Sequence, residues 1–293
     1  MTTAQTTYLP VALATMPAAE WAAGIVARHS VRTYSGQPVT SDQLDELDRF
    51  CQTLPGREVA RVEVARQVPA GLFTGIAGGY GRVRGATSAL VVVANTSALA
   101  FEESAGYIGE AVILQATTLG LGTCWVAGFF DRQVASSLVS LTPTERVLAV
   151  SPLGYPEPRP RLGERLMKRA VRAHSRRPIE DIAPGFNEAT WPAWAAQGVR
   201  LARLAPSAVN RQPWRFELES DPTEIGVGPV ASEPTGQLVV SAVSRGPEGG
   251  IPRRLDCGIA MLHFEVGAHL MGARGRWEIL DPPRVARYRV VPD

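Results

Sequence analysis

The chain has 293 residues with 30 basic and 28 acidic side chains, a net charge of +2, so it carries no field that would gather nucleic acid or an anionic membrane. No run approaches the ~20 continuous apolar residues of a membrane span. The start, MTTAQTTYLPVALATMPAAEW, lacks the basic region of a secretory signal, which makes a cytoplasmic location the expectation. Cys51, Cys124 and Cys257 are odd in number and show no C-x-x-C spacing. They read as reduced, buried thiols rather than disulfides or zinc ligands, and no metal site is expected.

Taken in chain order, the pattern predicts a helix over about 17–28, then an extended RHSVRTYS segment. Thr40 or Ser41 is placed to N-cap the helix SDQLDELDRFCQT, which has acidic residues early. Residues 69–85, PAGLFTGIAGGYGRVRG, are a Gly-rich loop. The GGYGRVRG within it resembles a dinucleotide fingerprint in letters only, since it precedes a strand rather than a helix. SALVVVAN is a buried strand by its β-branched run. An apolar helix rich in small residues follows over 104–120, and RVLAVSPLGYP reads as a strand and turn. Residues 157–183, rich in Pro and Arg, make a linker. Beyond it come the helix in WPAWAAQGVRLARL, a loop, the strand WRFELE, the hairpin-like QLVVSAVSRGPEGG, a helix over 256–272 and a final strand. The fold class expected is α+β, with mainly antiparallel sheet between helices.

Three segments carry chemistry. In Arg28-His29-Ser30-Val31-Arg32, two guanidinium groups and a hydroxyl stand at alternate positions, which share one face in an extended segment. Arg28, Ser30 and Arg32 can therefore converge on one phosphate, which the planar Arg fork binds in bidentate fashion. In APSAVNRQPWRF, residues 205–216, Pro206 and Pro213 stiffen the backbone. Between them Ser207, Asn210 and Gln212 offer groups that both donate and accept hydrogen bonds, suited to a flat, polar-edged heterocycle. The third segment is GYIGEAVILQATTLGLGTCWVAGFF, a helix closed by a Gly-rich turn.

The chain also repeats itself, and repeats decide architecture. With Gly106 set over Gly258, Gly120 falls on Gly272 and Trp125 on Trp277 at one spacing. With a slight shift of that spacing, Arg28-x-Ser30-x-Arg32 lies over Arg176-x-Pro178-x-Glu180, and the loop around Pro55 over that around Pro206. The second half has exchanged a hydroxyl for Pro178 and a guanidinium for Glu180, which repels an anion. The first half has Gly56 and Val59 where the second has Ser207 and Asn210.

These three segments resemble the signature segments of the nitroreductase-like flavoproteins, over most of residues 22–277. The resemblance implies the nitroreductase-like fold and bound FMN. Arg28, Ser30 and Arg32 are expected on its phosphate, and Pro206, Ser207, Asn210 and Gln212 along its ring and ribityl chain. The backbone N–H of Ala127 or Gly128 is expected at flavin N5, with Arg159, Arg161 and, more distantly, Arg82 as further phosphate contacts. No catalytic side chain beyond the flavin is expected, and His263 and His269 read as satisfied core residues. Relatives are interlocked dimers in which each flavin takes one motif from each subunit. One good copy of each motif, on opposite halves, therefore implies a single-chain pseudo-dimer of residues 1–165 and 166–293 with one intact site, for which a monomer suffices. The function implied is an oxidoreductase passing hydride from NAD(P)H to FMN and on to a nitro, quinone or other conjugated small-molecule acceptor. The alternative is an FMN-binding or flavin-sequestering protein with little turnover, lidded by residues 67–85 or 157–185.

Overall fold

The computed structural model describes residues 6–69, 71–73, 83–158, 175–219, 236–244 and 250–291. Helices α1 (Ala18–Ala27) and α2 (Ser41–Thr53) open the fold. Thr40 caps α2 as the sequence implies, its hydroxyl accepting from the Gln43 N–H. Strands β1 (Ala60–Ala65) and β2 (Ser88–Asn95), helix α3 (Phe101–Thr118), β3 (Gly122–Thr123), α4 (Arg132–Ser137) and β4 (Glu145–Gly154) complete the first half. The second half runs α5 (Ile179–Ile182), α6 (Ala193–Ala202), β5 (Trp214–Glu219), β6 (Gln237–Ala242), α7 (Arg253–Leu270), β7 (Gly275–Ile279) and β8 (Arg284–Val290).

Each half builds one four-stranded antiparallel sheet, in the orders β1-β2-β4-β3 and β5-β6-β8-β7. The connectivity is the same in both. The fold is α+β with helices flanking two antiparallel sheets, as expected. In β2, Leu90 and Val92 face the main core while Val91 and Val93 face a smaller cluster with Ala135 of α4. Both faces are covered, so the run is apolar without alternation.

The two long helices α3 and α7, of 18 residues each, cross at the centre. A Cβ on Gly106 would lie 2.1 Å from the Leu255 carbonyl oxygen, and one on Gly258 would lie 2.2 Å from that of Glu103. Under the spacing that lays Gly106 on Gly258, Glu103 falls on Leu255, so each contact is the other's mirror. Such reciprocity is what a two-fold interface produces. The helix ends match as well. Gly120 and Gly272 have φ of 74° and 75°. Gly120 N–H donates to Thr117 and Leu121 N–H to Ala116; Gly272 N–H donates to His269 and Ala273 N–H to Ala268, all at 3.0 Å. The left-handed glycine lets the last turn reuse its free carbonyls.

Some expectations need correction. Strand β1 and helix α4 carry no strong pattern in the sequence and were not anticipated. The final strand is a β7–β8 pair, and QLVVSA pairs with β5 and β8, while residues 245–249 of the hairpin-like segment lie outside the described residues. Most of the Gly-rich loop (70 and 74–82) and of the linker (159–174) lies outside the described residues. The three cysteines are free and buried, and burial pushes the Cys51 and Cys257 thiols up, away from nucleophile behaviour. Among the described residues no helix is long and apolar enough to cross a membrane, and no cluster suits a metal ion.

Candidate functional site

Residues 30–34 run extended between two edges of the first half. Ser30 bridges Thr123 in parallel, Val31 N–H donates to the Thr123 carbonyl at 2.9 Å, and Tyr34 N–H donates to that of Arg84. This pairing turns Ser30 and Arg32 to the same side, where both line one cleft. Arg28 stands one step earlier, at the C-cap of α1, and is absent from the lining. Its side chain is 4% exposed and lies 3.6 Å from Glu110. Buried Nε and Nη1 of Arg28, together with Nε of Arg176, have no hydrogen-bond partner among the described residues.

The floor of the cleft is the turn after α3. Val126 and Val150 exchange two backbone hydrogen bonds of 2.9 Å, and Trp125 to Phe129 line the cleft. Trp125 Nε1–H donates to Glu110 Oε2 at 2.6 Å, which fixes the start of the turn to the core. Gly109 makes room for the indole, since a Cβ there would meet the ring at 2.4 Å. Glu110 also lies 2.8 Å from His263 Nε2, whose Nδ1 is 3.2 Å from the Leu201 carbonyl oxygen. Burial alone would raise the Glu110 carboxyl, but the bonds from His263 and Trp125 and the Arg28 charge outweigh it and hold it below the usual carboxylate range. His263 is thus a satisfied core residue, as its place on an apolar helix suggests.

The opposite wall comes from the second half. Pro206, Ser207, Ala208 and Val209 face the cleft, with Ile251, Leu255, Asp256 and Ile259 beside them. The loop is strained: Val209, Asn210 and Gln212 have φ of 47°, 55° and 48°. For a β-branched residue such as Val209 this backbone is a genuine outlier, and strain of this kind clusters at functional sites. Arg211 holds it in place. Its buried guanidinium donates to Asp256 Oδ2 at 2.7 Å and to the Ile251 and Pro252 carbonyls, while Asp256 Oδ1 accepts the Ala208 N–H at 3.1 Å. Burial pushes the Asp256 carboxyl up to about 6, against the opposing pull of Arg211.

The structure brings together Ser30, Arg32, Ala127, Gly128, Pro206 and Ser207, expected from distant parts of the sequence. It places Asn210 and Gln212 differently from the rest. Asn210 accepts from Arg176 Nη1 at 3.0 Å and donates to the Ser175 carbonyl at 2.9 Å. Gln212 accepts the Arg177 N–H at 3.0 Å, and its own N–H donates to Ser207 Oγ at 2.9 Å. Both tie the loop to residues 175–177 rather than lining the cleft. Arg82, Arg159 and Arg161 lie outside the described residues.

Sequence reasoning missed the Arg211–Asp256 clamp, the Trp125–Glu110 bond and the role of Arg176. Only the Asn-Arg-Gln run itself hinted at a clamp. Positive charge accumulates behind the loop: burial, with Arg28 and Arg203 nearby, lowers Arg176 to about 10. Three crowded guanidinium groups, two of them (Arg28 and Arg176) with buried donors lacking a partner among the described residues, fit an anionic group of a ligand.

No curated protein matches this chain. Among solved structures, a nitroreductase of Thermotoga maritima aligns over 93% of this chain and 94% of its own with a TM-score of 0.57 at 20% identity. An FMN-dependent nitroreductase of Clostridium difficile aligns over 47% of this chain and 88% of its own, at 20% identity and a TM-score of 0.39. A Parabacteroides distasonis protein named as an NADH dehydrogenase/NAD(P)H nitroreductase aligns over 48% and 89%, at 25% identity and a TM-score of 0.39. The family described as "Putative TM nitroreductase" matches residues 21–268, and with the fold shared with the Thermotoga protein this chain belongs to that nitroreductase family.

Proposed function

We propose that this protein is an FMN-dependent oxidoreductase with one composite flavin site, built from residues 1–165 and 166–293 acting as two fused halves. One observation carries the reading: Ser30 and Arg32, the 125–129 turn and the Pro206–Ser207 loop line a single cleft. FMN held there would supply the two-electron chemistry by which hydride from NAD(P)H reduces a nitro, quinone or other conjugated acceptor.

The chain's own work is binding and shaping. Ser30 and Arg32 take the phosphate, with Arg28 and its orphaned donors behind them. Ala127 or Gly128 presents a backbone N–H to the polar edge of the ring. Pro206 and Ser207 cover the other side, kept rigid by Arg211 and Asp256. Phe73, Val83, Phe129, Val209 and Ile251 make the remaining walls apolar, which excludes water and suits a flat conjugated acceptor. Arg159 and Arg161 stay as candidate phosphate contacts. The fused halves make a monomer sufficient, and the reduced thiols suit a cytoplasmic location.

The test is FMN per chain after mixing, gel filtration and denaturation, followed by addition of NADPH. One FMN per chain, bleached within seconds, supports the oxidoreductase. Bound flavin that NADPH does not bleach replaces it with the flavin-sequestering reading, and no flavin at all overturns both.

A further inference from the structure

The duplication repeats the positions that line the cleft, and residues 7–13 pack against those counterparts. Under the spacing that lays Gly106 on Gly258, the cleft residues Trp125, Ala127 and Ile259 fall on Trp277, Ile279 and Tyr107, and one residue out of that register Pro206 is matched by Pro55. Residues 7–13 touch every one of these counterparts or its neighbour. Ile279 N–H, the counterpart of the Ala127 N–H, donates to the Thr7 carbonyl at 2.8 Å. Leu9 N–H donates to the Trp277 carbonyl at 2.8 Å, and Tyr8 bridges Glu278 in antiparallel fashion. The Leu13 backbone lies close to the Tyr107 hydroxyl. Next to Pro55, a Cβ on Gly56 would meet both the Pro10 carbonyl oxygen and Val11 Cγ1 at 2.8 Å.

The side chains alternate as a docked strand requires. Tyr8 is 45% exposed, whereas Leu9 and Val11 are 3% and 0% exposed and join the main core. The segment also lies outside residues 21–268, over which the family matches.

We propose that these counterparts form a second groove, a peptide-binding site of the strand-addition type, and that residues 7–13 of the same chain are its ligand. Backbone bonds to the β7 edge supply register, and Leu9 and Val11 supply specificity for an extended apolar segment. The Thr7 carbonyl takes the place that a cofactor's polar edge takes at Ala127 in the first cleft under the proposed function. Closure of the second groove therefore does not depend on the loss of its phosphate motif at Pro178 and Glu180. The assignment rests on the protein's own contacts and holds whether or not the first cleft takes FMN.

The test is amide hydrogen exchange on the full-length chain without added flavin. In the native chain Ile279 and Leu9 amides are expected to be protected. Leu9→Pro removes the donor to Trp277, and is expected to speed Ile279 exchange tenfold or more while residues 125–128 keep native rates. A synthetic peptide of residues 5–15 added to that variant is expected to restore protection at Ile279, and the same peptide carrying Val11→Asp is not. Should Leu9→Pro fail to fold, Val11→Ser gives the same selective loss at Ile279 in milder form. Native exchange at Ile279 in these variants, or loss spread equally over 125–128, overturns the proposal.

Discussion

Glu265 offers a test in which the variant gains stability. It is buried on α7, and both the Tyr107 hydroxyl and Trp277 Nε1–H donate to its Oε2 at 2.8 Å. Burial pushes its carboxyl from 4.5 up to about 7, and the two donors only partly oppose that rise. The folded state therefore holds a proton that the unfolded chain has released. The stability this contributes is fully present below pH 4.5 and is lost as pH rises through about 7. A rise from 4.5 to about 7 is worth about 3 kcal/mol at most. Glu265→Gln mimics the protonated form, keeps an acceptor for both donors and cannot ionise. Urea unfolding at pH 5, 6, 7 and 8 should show wild type and variant nearly equal at pH 5. By pH 8 the variant should be the more stable by about 2–3 kcal/mol. Other titrating groups are common to both chains and cancel in the difference. Parallel pH curves, or a variant weaker at pH 8 than at pH 5 relative to wild type, would refute the reasoning.

At the helix crossing, Gly258→Ala forces a methyl against the Glu103 backbone and should cost about 1–3 kcal/mol in chemical unfolding. Gly120→Ala meets nothing within 4 Å, so it should cost only about 1–2 kcal/mol, through its left-handed backbone. Arg32→Ala should weaken FMN binding by roughly 1.5–3 kcal/mol, or about 10- to 150-fold in Kd by fluorescence quenching, through loss of a charge-assisted contact. Glu180→Ala, on α5 in the half without the phosphate motif, should leave FMN per chain unaltered by absorbance; a change would mean that α5 touches the ligand.

The internal repeat was legible in the letters because it rests on residue types that few positions demand. Gly106, Gly120, Gly258 and Gly272 answer to steric limits, two at a backbone crossing and two at a positive φ. The helices α3 and α7 were readable because long apolar runs of small residues leave few alternatives to a buried helix. Strand β1 was not, since ARVEVA is short and broken by Arg61 and Glu63, and Arg61 finds its distant partner Glu145 only on β4.

By itself the sequence determined the kinds of chemistry available: guanidinium groups at alternate positions, a stiff amide-rich loop, and two copies of one helix and turn. Those follow from local backbone rules and side-chain identity. Only the tertiary structure decided which groups meet. It sends Arg28 toward Glu110, spends Asn210 and Gln212 on holding their own loop, and clamps that loop with Arg211 and Asp256. It also pairs residues 7–9 with the edge of β7. Contacts between residues far apart along the chain are set by how two sheets and two crossing helices pack, and no local pattern encodes that distance.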